Sequence, residues 1–164
     1  MATRKKDIRS WDSLLPIVEK HGLGIPPLLV RALITEESGF DANALSGAGA
    51  VGLMQIMQQF HPDKDLTNAA VNIRVGCSVL VSDFYYLNHI RSGLDPSYPA
   101  SLYPWSDRDL CYRALAGYNM GPGNVVWYDA NHPDNPPANW PADVRGYCAN
   151  IWSMWKRYQR EADG

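Results

Sequence analysis

Two adjacent carboxylates, Glu36 and Glu37, stand at the end of an apolar stretch that breaks at Ser38-Gly39. Leu29, Leu33 and Ile34 recur at helical spacing ahead of them. Glu37 lies one turn beyond Leu33 and Ile34, so it projects from an apolar stripe. Glu36 follows Ala32 and Leu33 in the same way, and periodicity alone does not choose between the two. A carboxyl so placed loses water and gains pKa, which a proton donor at neutral pH requires. Facing it in sequence is a small-residue loop, Ser46-Gly47-Ala48-Gly49-Ala50, whose backbone can approach a substrate closely. An apolar run follows at Gly52-Leu53-Met54-Gln55-Ile56. The pattern points to general acid chemistry. Metal chemistry is not expected, since there is no CxxC or HExxH and the four histidines are scattered. No cofactor is expected either.

These residues need helices to hold them. Residues 10–21 form a first predicted helix that Ser10 can cap, and the proline pair at 26–27 is placed to start a second, ending at Glu37. Residues 40–52 read as loop, 51–59 as a short helix, and 61–68 as a second loop. A long helix is predicted over 69–90, where Gly76 implies close packing against a neighbour. Residues 92–106 read as irregular, 107–118 as helix, and 119–141 as a long loop with one turn of helix around 125–128. A final helix covers 143–160, with Trp152, Trp155 and Tyr158 as a core stripe or the back wall of a cleft. Trp105, Trp127 and Trp140 fall in loops, where they can stack on sugars or anchor the chain.

The 164 residues suit one domain, 11–160, behind a short tail, 1–10, that carries Arg4-Lys5-Lys6. A net charge of -2 leaves no electrostatic footprint for nucleic acid. No apolar run is long enough to span a bilayer, and no apolar segment follows the N-terminal charges as a signal peptide requires. Three cysteines, Cys77, Cys111 and Cys148, cannot all pair within the chain and read as reduced core residues.

Four ordered blocks carry a family resemblance. The first is Glu37-Ser38-Gly39-Phe40 with Ser46 and residues 49–55, Gly-Ala-Val-Gly-Leu-Met-Gln. The second is Asp65-Leu66 with Asn72-Ile73-Arg74-Val75-Gly76. The third is residues 114–123, Ala-Leu-Ala-Gly-Tyr-Asn-Met-Gly-Pro-Gly, and the fourth is Val144-Arg145-Gly146-Tyr147. Together they resemble the soluble lytic transglycosylase (SLT) domain of the goose-type lysozyme-like superfamily, from about residue 11 to residue 158. The resemblance implies an all-α, lysozyme-like single domain with a substrate cleft. It makes Glu37 the single catalytic acid/base, with Tyr118 pointing its hydroxyl at that acid. It makes Ser46 and Gln55 sugar-contacting groups, with Met57 beside the cleft, Asn119 supporting the turn after Tyr118, and Tyr147 lining the cleft.

The implied reaction cuts the β-1,4 bond between N-acetylmuramic acid and N-acetylglucosamine in peptidoglycan glycan strands and leaves 1,6-anhydromuramic ends. Residues 42–62 contain no Asp or Glu. Hydrolysing goose-type lysozymes tend to carry acids there to place a water, so the absence favours transglycosylation over a muramidase. A catalytically vestigial wall-binding component of a virion or secretion apparatus is the alternative from another class. One departure from the family pattern stands at Asp143-Val144-Arg145, where the family often has Glu-Thr-Arg. The implied protein is a monomer made in the cytoplasm, phage-encoded or virion-associated, that acts on the cell wall without inserting in a membrane.

Overall fold

The computed structural model describes residues 10–92, 97, 99–132 and 136–164; the tail expected over 1–10 lies outside them except for Ser10. Among the described residues six α-helices run in chain order: α1 Trp11–His21, α2 Pro27–Ser38, α3 Ala69–Ser92, α4 Arg108–Met120, α5 Pro122–Asn131 and α6 Ala142–Asp163. A two-residue hairpin, β1 Ala50–Val51 with β2 Ile56–Met57, stands between α2 and α3. Its register pairs Ala50 with Met57 and Val51 with Ile56, antiparallel.

Helix α4 packs against α3, α5 and α6, and α6 packs in turn on α2. The face α4 turns inward is Cys111, Ala114, Leu115, Ala116 and Gly117, mostly small residues that let its neighbours come close. Phe84, Leu80 and Ile73 from α3, Leu29 and Leu33 from α2, and Ile151 and Trp155 from α6 fill the core. The aromatic stripe expected on α6 is core: Trp155 and Tyr158 are buried and Trp152 stacks edge-on against Trp155. Trp105 and Trp140 are buried anchors, whereas Trp127 is exposed on α5. All three cysteines are free and buried. Burial pushes the Cys77 and Cys148 thiols up to about 12, which leaves them unreactive.

Two expectations are corrected. The helix predicted over 51–59 is the hairpin, closed by a single 3-10 turn at Gln58–Phe60. Gln55 takes φ 50°, in the left-handed region, and that turns the chain where an α-helix would have continued. The long loop over 119–141 contains a full ten-residue helix, α5. Pro122 is its first residue, where a missing N–H costs nothing, so the Gly-Pro-Gly sequence starts a helix as well as ending one. A smaller difference is Ser10, which pairs its hydroxyl with Ser13 at 3.1 Å and makes no side-chain cap.

Asn72, fully buried in α3, fixes the hairpin to the helical body. Its Oδ1 accepts from Met54 N at 2.8 Å, and its Nδ2 donates to Val51 O at 2.8 Å and Leu66 O at 2.9 Å. Gly52 crosses directly above: a Cβ there would stand 2.4 Å from Asn72 Nδ2. Gly76, one turn along α3, meets the side chain of Met54, whose sulfur would be 2.6 Å from an added Cβ. The close packing expected of Gly76 is thus packing on the hairpin. Asn72→Ala removes three buried bonds and strands their backbone partners, so a loss of about 2–3 kcal/mol in unfolding free energy is expected. Urea titration measures it; a midpoint unchanged from the parent would show that the hairpin is held by apolar packing alone.

Candidate active site

The site forms where the end of α2, the hairpin, α4 and α6 converge. α2 ends at Gly39, whose φ of 58° is left-handed and whose N–H bonds Thr35 O at 3.1 Å. That stop leaves Glu37 on the last turn. Ser38 turns the other way and ties the helix end to the hairpin, donating to Leu53 O at 2.8 Å. From α6, Tyr147 donates its hydroxyl to Glu37 Oε1 at 2.5 Å. One turn further, Asn150 reaches Glu36 Oε1 at 3.5 Å. α6 therefore presents one donor to each of the two acids.

The geometry separates the acids where periodicity could not. Burial raises Glu37 to about 7; the Tyr147 bond pulls it down and the neighbouring Glu36 pushes it up, and burial prevails. Near neutral pH about half of Glu37 carries its proton. This is the state in which a carboxyl can donate a proton and later accept one.

Tyr118 is placed differently from the expectation. Its hydroxyl donates to Met54 O at 2.7 Å, and Tyr147 is the tyrosine that bonds Glu37. The Tyr118 phenol is held well above its usual value by burial first and by the nearby Glu37 second, so it stays a neutral donor. Its bond joins α4 to the hairpin beside the acid. Tyr118→Phe strands the Met54 carbonyl, so a loss of about 1 kcal/mol is expected, roughly 2–4 °C in melting temperature, together with slower turnover. Calorimetry beside an activity assay measures both; a slower enzyme with an unchanged melting temperature would show that the Met54 bond is not what the hydroxyl contributes.

Ser46 closes the small-residue loop: its Oγ accepts from Ala50 N at 2.9 Å and its N–H donates to Ala50 O at 2.9 Å. Gln55 folds its amide back onto Gly52 O at 3.1 Å and Ala44 O at 3.3 Å. Both side chains brace the loop and remain partly exposed. Met57 sits half-buried on β2. Asn119 is exposed, and the turn after it is held by Asn124, whose Nδ2 donates to Met120 O at 2.5 Å. Two supporting residues were not picked out from sequence as site residues: Asn72, hidden as a polar residue within a helix, and Asn150, three positions after Tyr147 on the same helix face.

A match to the family described as the transglycosylase SLT domain covers residues 15–140. The chain belongs to the SLT family. This SLT chain is also 25% identical over 137 residues to lysozyme g of Struthio camelus, a match covering 78% of this chain and 62% of that protein. The chain thus spans less than two thirds of that relative's length. In structure it is similar to the 70 kDa soluble lytic transglycosylase of Escherichia coli, with a TM-score of 0.64 and 21% identity. That likeness covers 92% of this chain and 26% of the larger one, and it shows a shared SLT fold. The matched residues contain α2, the hairpin, α3 and α4, with both Glu37 and Tyr118; Tyr147 lies beyond them on α6.

Proposed function

We propose that this SLT domain is a peptidoglycan lytic transglycosylase with Glu37 as its single acid/base. The observation that carries the reading is Glu37 itself: a half-buried carboxyl raised to about 7, bonded by Tyr147, and faced by a loop and hairpin with no carboxylate of their own.

Glu37 gives its proton to the glycosidic oxygen as the bond from the muramic C1 breaks, and N-acetylglucosamine leaves with a 4-hydroxyl. The new carboxylate then takes a proton from the muramic C6 hydroxyl. O6 bonds to C1, the 1,6-anhydro ring closes, and Glu37 is protonated again. No water is consumed. The substrate's acetamido group stabilises the intermediate in place of a second carboxylate. Tyr147 orients Glu37 throughout. Tyr118, through Met54, fixes the hairpin that carries Gln55 and Met57. Ser46, Gln55, Met57 and Asn119 are placed on the substrate side in this reading.

The substrate is the glycan strand, and the working unit is a monomer; light scattering giving a dimer mass would contradict that. The setting we infer is a phage-encoded or virion-associated lysin, consistent with three buried thiols that need no oxidising compartment. Equal activity before and after mild oxidation is expected, and loss on oxidation would count against buried, inert thiols. Purified walls should lose turbidity with the parent protein and not with Glu37→Gln. Binding to walls by both proteins, with no clearing by either, would favour the vestigial wall-binding reading.

A further inference from the structure

One face of α3 holds both the hairpin and α4. Asn72, Gly76, Asp83 and Leu87 lie within about 60° of one another around the helix. Asn72 and Gly76 grip Met54 of the hairpin. Roughly 10 Å further along, Asp83 and Leu87 receive the backbone of α4 at Gly117. A Cβ on Gly117 would stand 2.8 Å from Leu87 Cδ1 and 3.3 Å from Asp83 Cγ, so helix backbone closes off the carboxyl on that side. Asp83 is buried, and its Oδ2 has no hydrogen-bond partner. The residue after Gly117 is Tyr118, which donates to Met54 O at 2.7 Å and lies near enough to Asp83 to sense its charge. The hairpin is therefore held from α3 directly, at Asn72 and Gly76, and also through α4, which rests on Asp83.

Among the described residues no cation lies close enough to steady a charge at Asp83. The elements packed on α3 are α4, α1, α5 and β2. α4 offers the neutral Tyr118 and, one turn before Gly117, Arg113, which is paired with Asp129 of α5. α1 buries only Leu14 and Val18, and β2 is Ile56–Met57. Cys77, on α3 itself, keeps its proton. A neutral carboxyl can sit in such a place as a leucine would. An ionised one must draw in water, and α4, which covers it, must move aside.

We propose that Asp83 is a positioning residue for the reaction at Glu37, a pH-operated latch: neutral, it seats α4 and keeps the Tyr118–Met54 bond; ionised, it unseats α4 and frees the hairpin that carries Gln55 and Met57. The activity it controls is the one assigned to Glu37, so the proposal rests on the transglycosylase reading. The sign follows from burial, which raises Asp83 from 3.8 to about 7. The latch is closed below that value and opens above it. Glu37 loses its proton near the same pH, so two protons leave on one limb of the rate profile.

The test compares the parent with Asp83→Asn, which keeps the shape of the neutral acid and cannot ionise. At pH 5 both should clear purified walls at rates within about twofold of each other. Well above pH 7 the loss of one essential proton lowers kcat/KM about tenfold per pH unit, and the loss of two about a hundredfold. The parent should follow the steeper course and Asp83→Asn the shallower one. Hydrogen exchange reads the latch without substrate. At pH 8 the Met54 amide of the parent should exchange faster than the Ile151 amide in the α6 core, and Asp83→Asn should narrow that gap about tenfold. An acid that matters only for global stability would speed both amides alike and leave the gap unchanged. An unchanged gap would overturn the proposal, and so would limbs of equal steepness in the two proteins. If neither protein cuts walls at any pH, the reading of Glu37 fails, while the exchange gap still decides whether Asp83 controls the hairpin.

Discussion

Glu37→Gln should abolish wall cleavage, with a fall in rate of at least about a thousandfold, the upper part of the range for a positioned acid/base. A single group serves both half-reactions here, so its loss is felt twice. The fold should survive, because glutamine keeps the size of the side chain and can still accept from Tyr147. It should also be more stable near neutral pH. Glu37 has its folded pKa raised from 4.5 to about 7. A raised acid is protonated when folded and ionised when unfolded between those values, so the wild-type protein loses stability as pH rises from 4.5 to about 7. Glutamine has no charge to lose water from and escapes that penalty. The pH profile follows from the same shift. The donor form is populated below about 7, so kcat/KM should fall as pH rises through that value. Tyr147→Phe removes the bond that pulls Glu37 down, so its falling limb should move to higher pH while the maximal rate drops. A Tyr147→Phe profile superimposed on the parent's would show that the limb belongs to another group.

The second large effect is expected on stability, at a buried acid between α3 and α4. Asp83 on α3 is 6% exposed, and its Oδ2 has no hydrogen-bond partner. It is packed against α4 at Gly117, where an added Cβ would stand 3.2 Å from the Asp83 Cβ. Burial alone raises it from 3.8 to about 7. Ionising it in the folded state strands a charge in the interior. That rise, at about 1.4 kcal/mol for each tenfold change in proton affinity, bounds the penalty at about 4 kcal/mol. That penalty is absent below the unfolded pKa, grows as pH rises from 3.8, and is complete above about 7. Asp83→Asn has the shape of the neutral acid and cannot ionise. It should therefore stabilise the protein by about 2–4 kcal/mol at pH 8 and by little at pH 4. Urea midpoints at the two pH values measure this. Equal midpoints for parent and variant at pH 8 would mean that Asp83 is solvated or paired when charged.

The acid pair Glu36-Glu37 was legible from the apolar helical stripe behind it, but the choice of Glu37 came only with the family resemblance, on the Ser-Gly-Phe that follows it. Gly76 was legible as a point of close packing because glycine inside a long helix costs propensity and needs a reason. The hairpin was not legible. Its strands are two residues each, too short for an alternating pattern, and the run Leu53-Met54-Gln55-Ile56 is as apolar as a helix face. What makes the turn is Gln55 at positive φ, a backbone state that its side chain does not announce. Helix α5 was hidden by Gly121-Pro122-Gly123, which reads as a breaker although Pro122 sits at the one helical position that suits it. That Tyr147, expected only to line the cleft, bonds Glu37 in place of Tyr118 lay beyond sequence for another reason. Both tyrosines lie near Glu37, and which hydroxyl meets the carboxyl is decided by the packing of α6 on α2, a contact between residues 110 positions apart.

The central claim is that Glu37 breaks the glycosidic bond and closes the anhydro ring without water. Mass spectrometry of the muropeptides released from purified peptidoglycan tests it directly, with Glu37→Gln as the control. The account predicts products lighter by one water, with a muramic end that borohydride cannot reduce, and none from the variant. Hydrated, reducible ends would contradict it: a water would then have attacked, and the enzyme would be a muramidase.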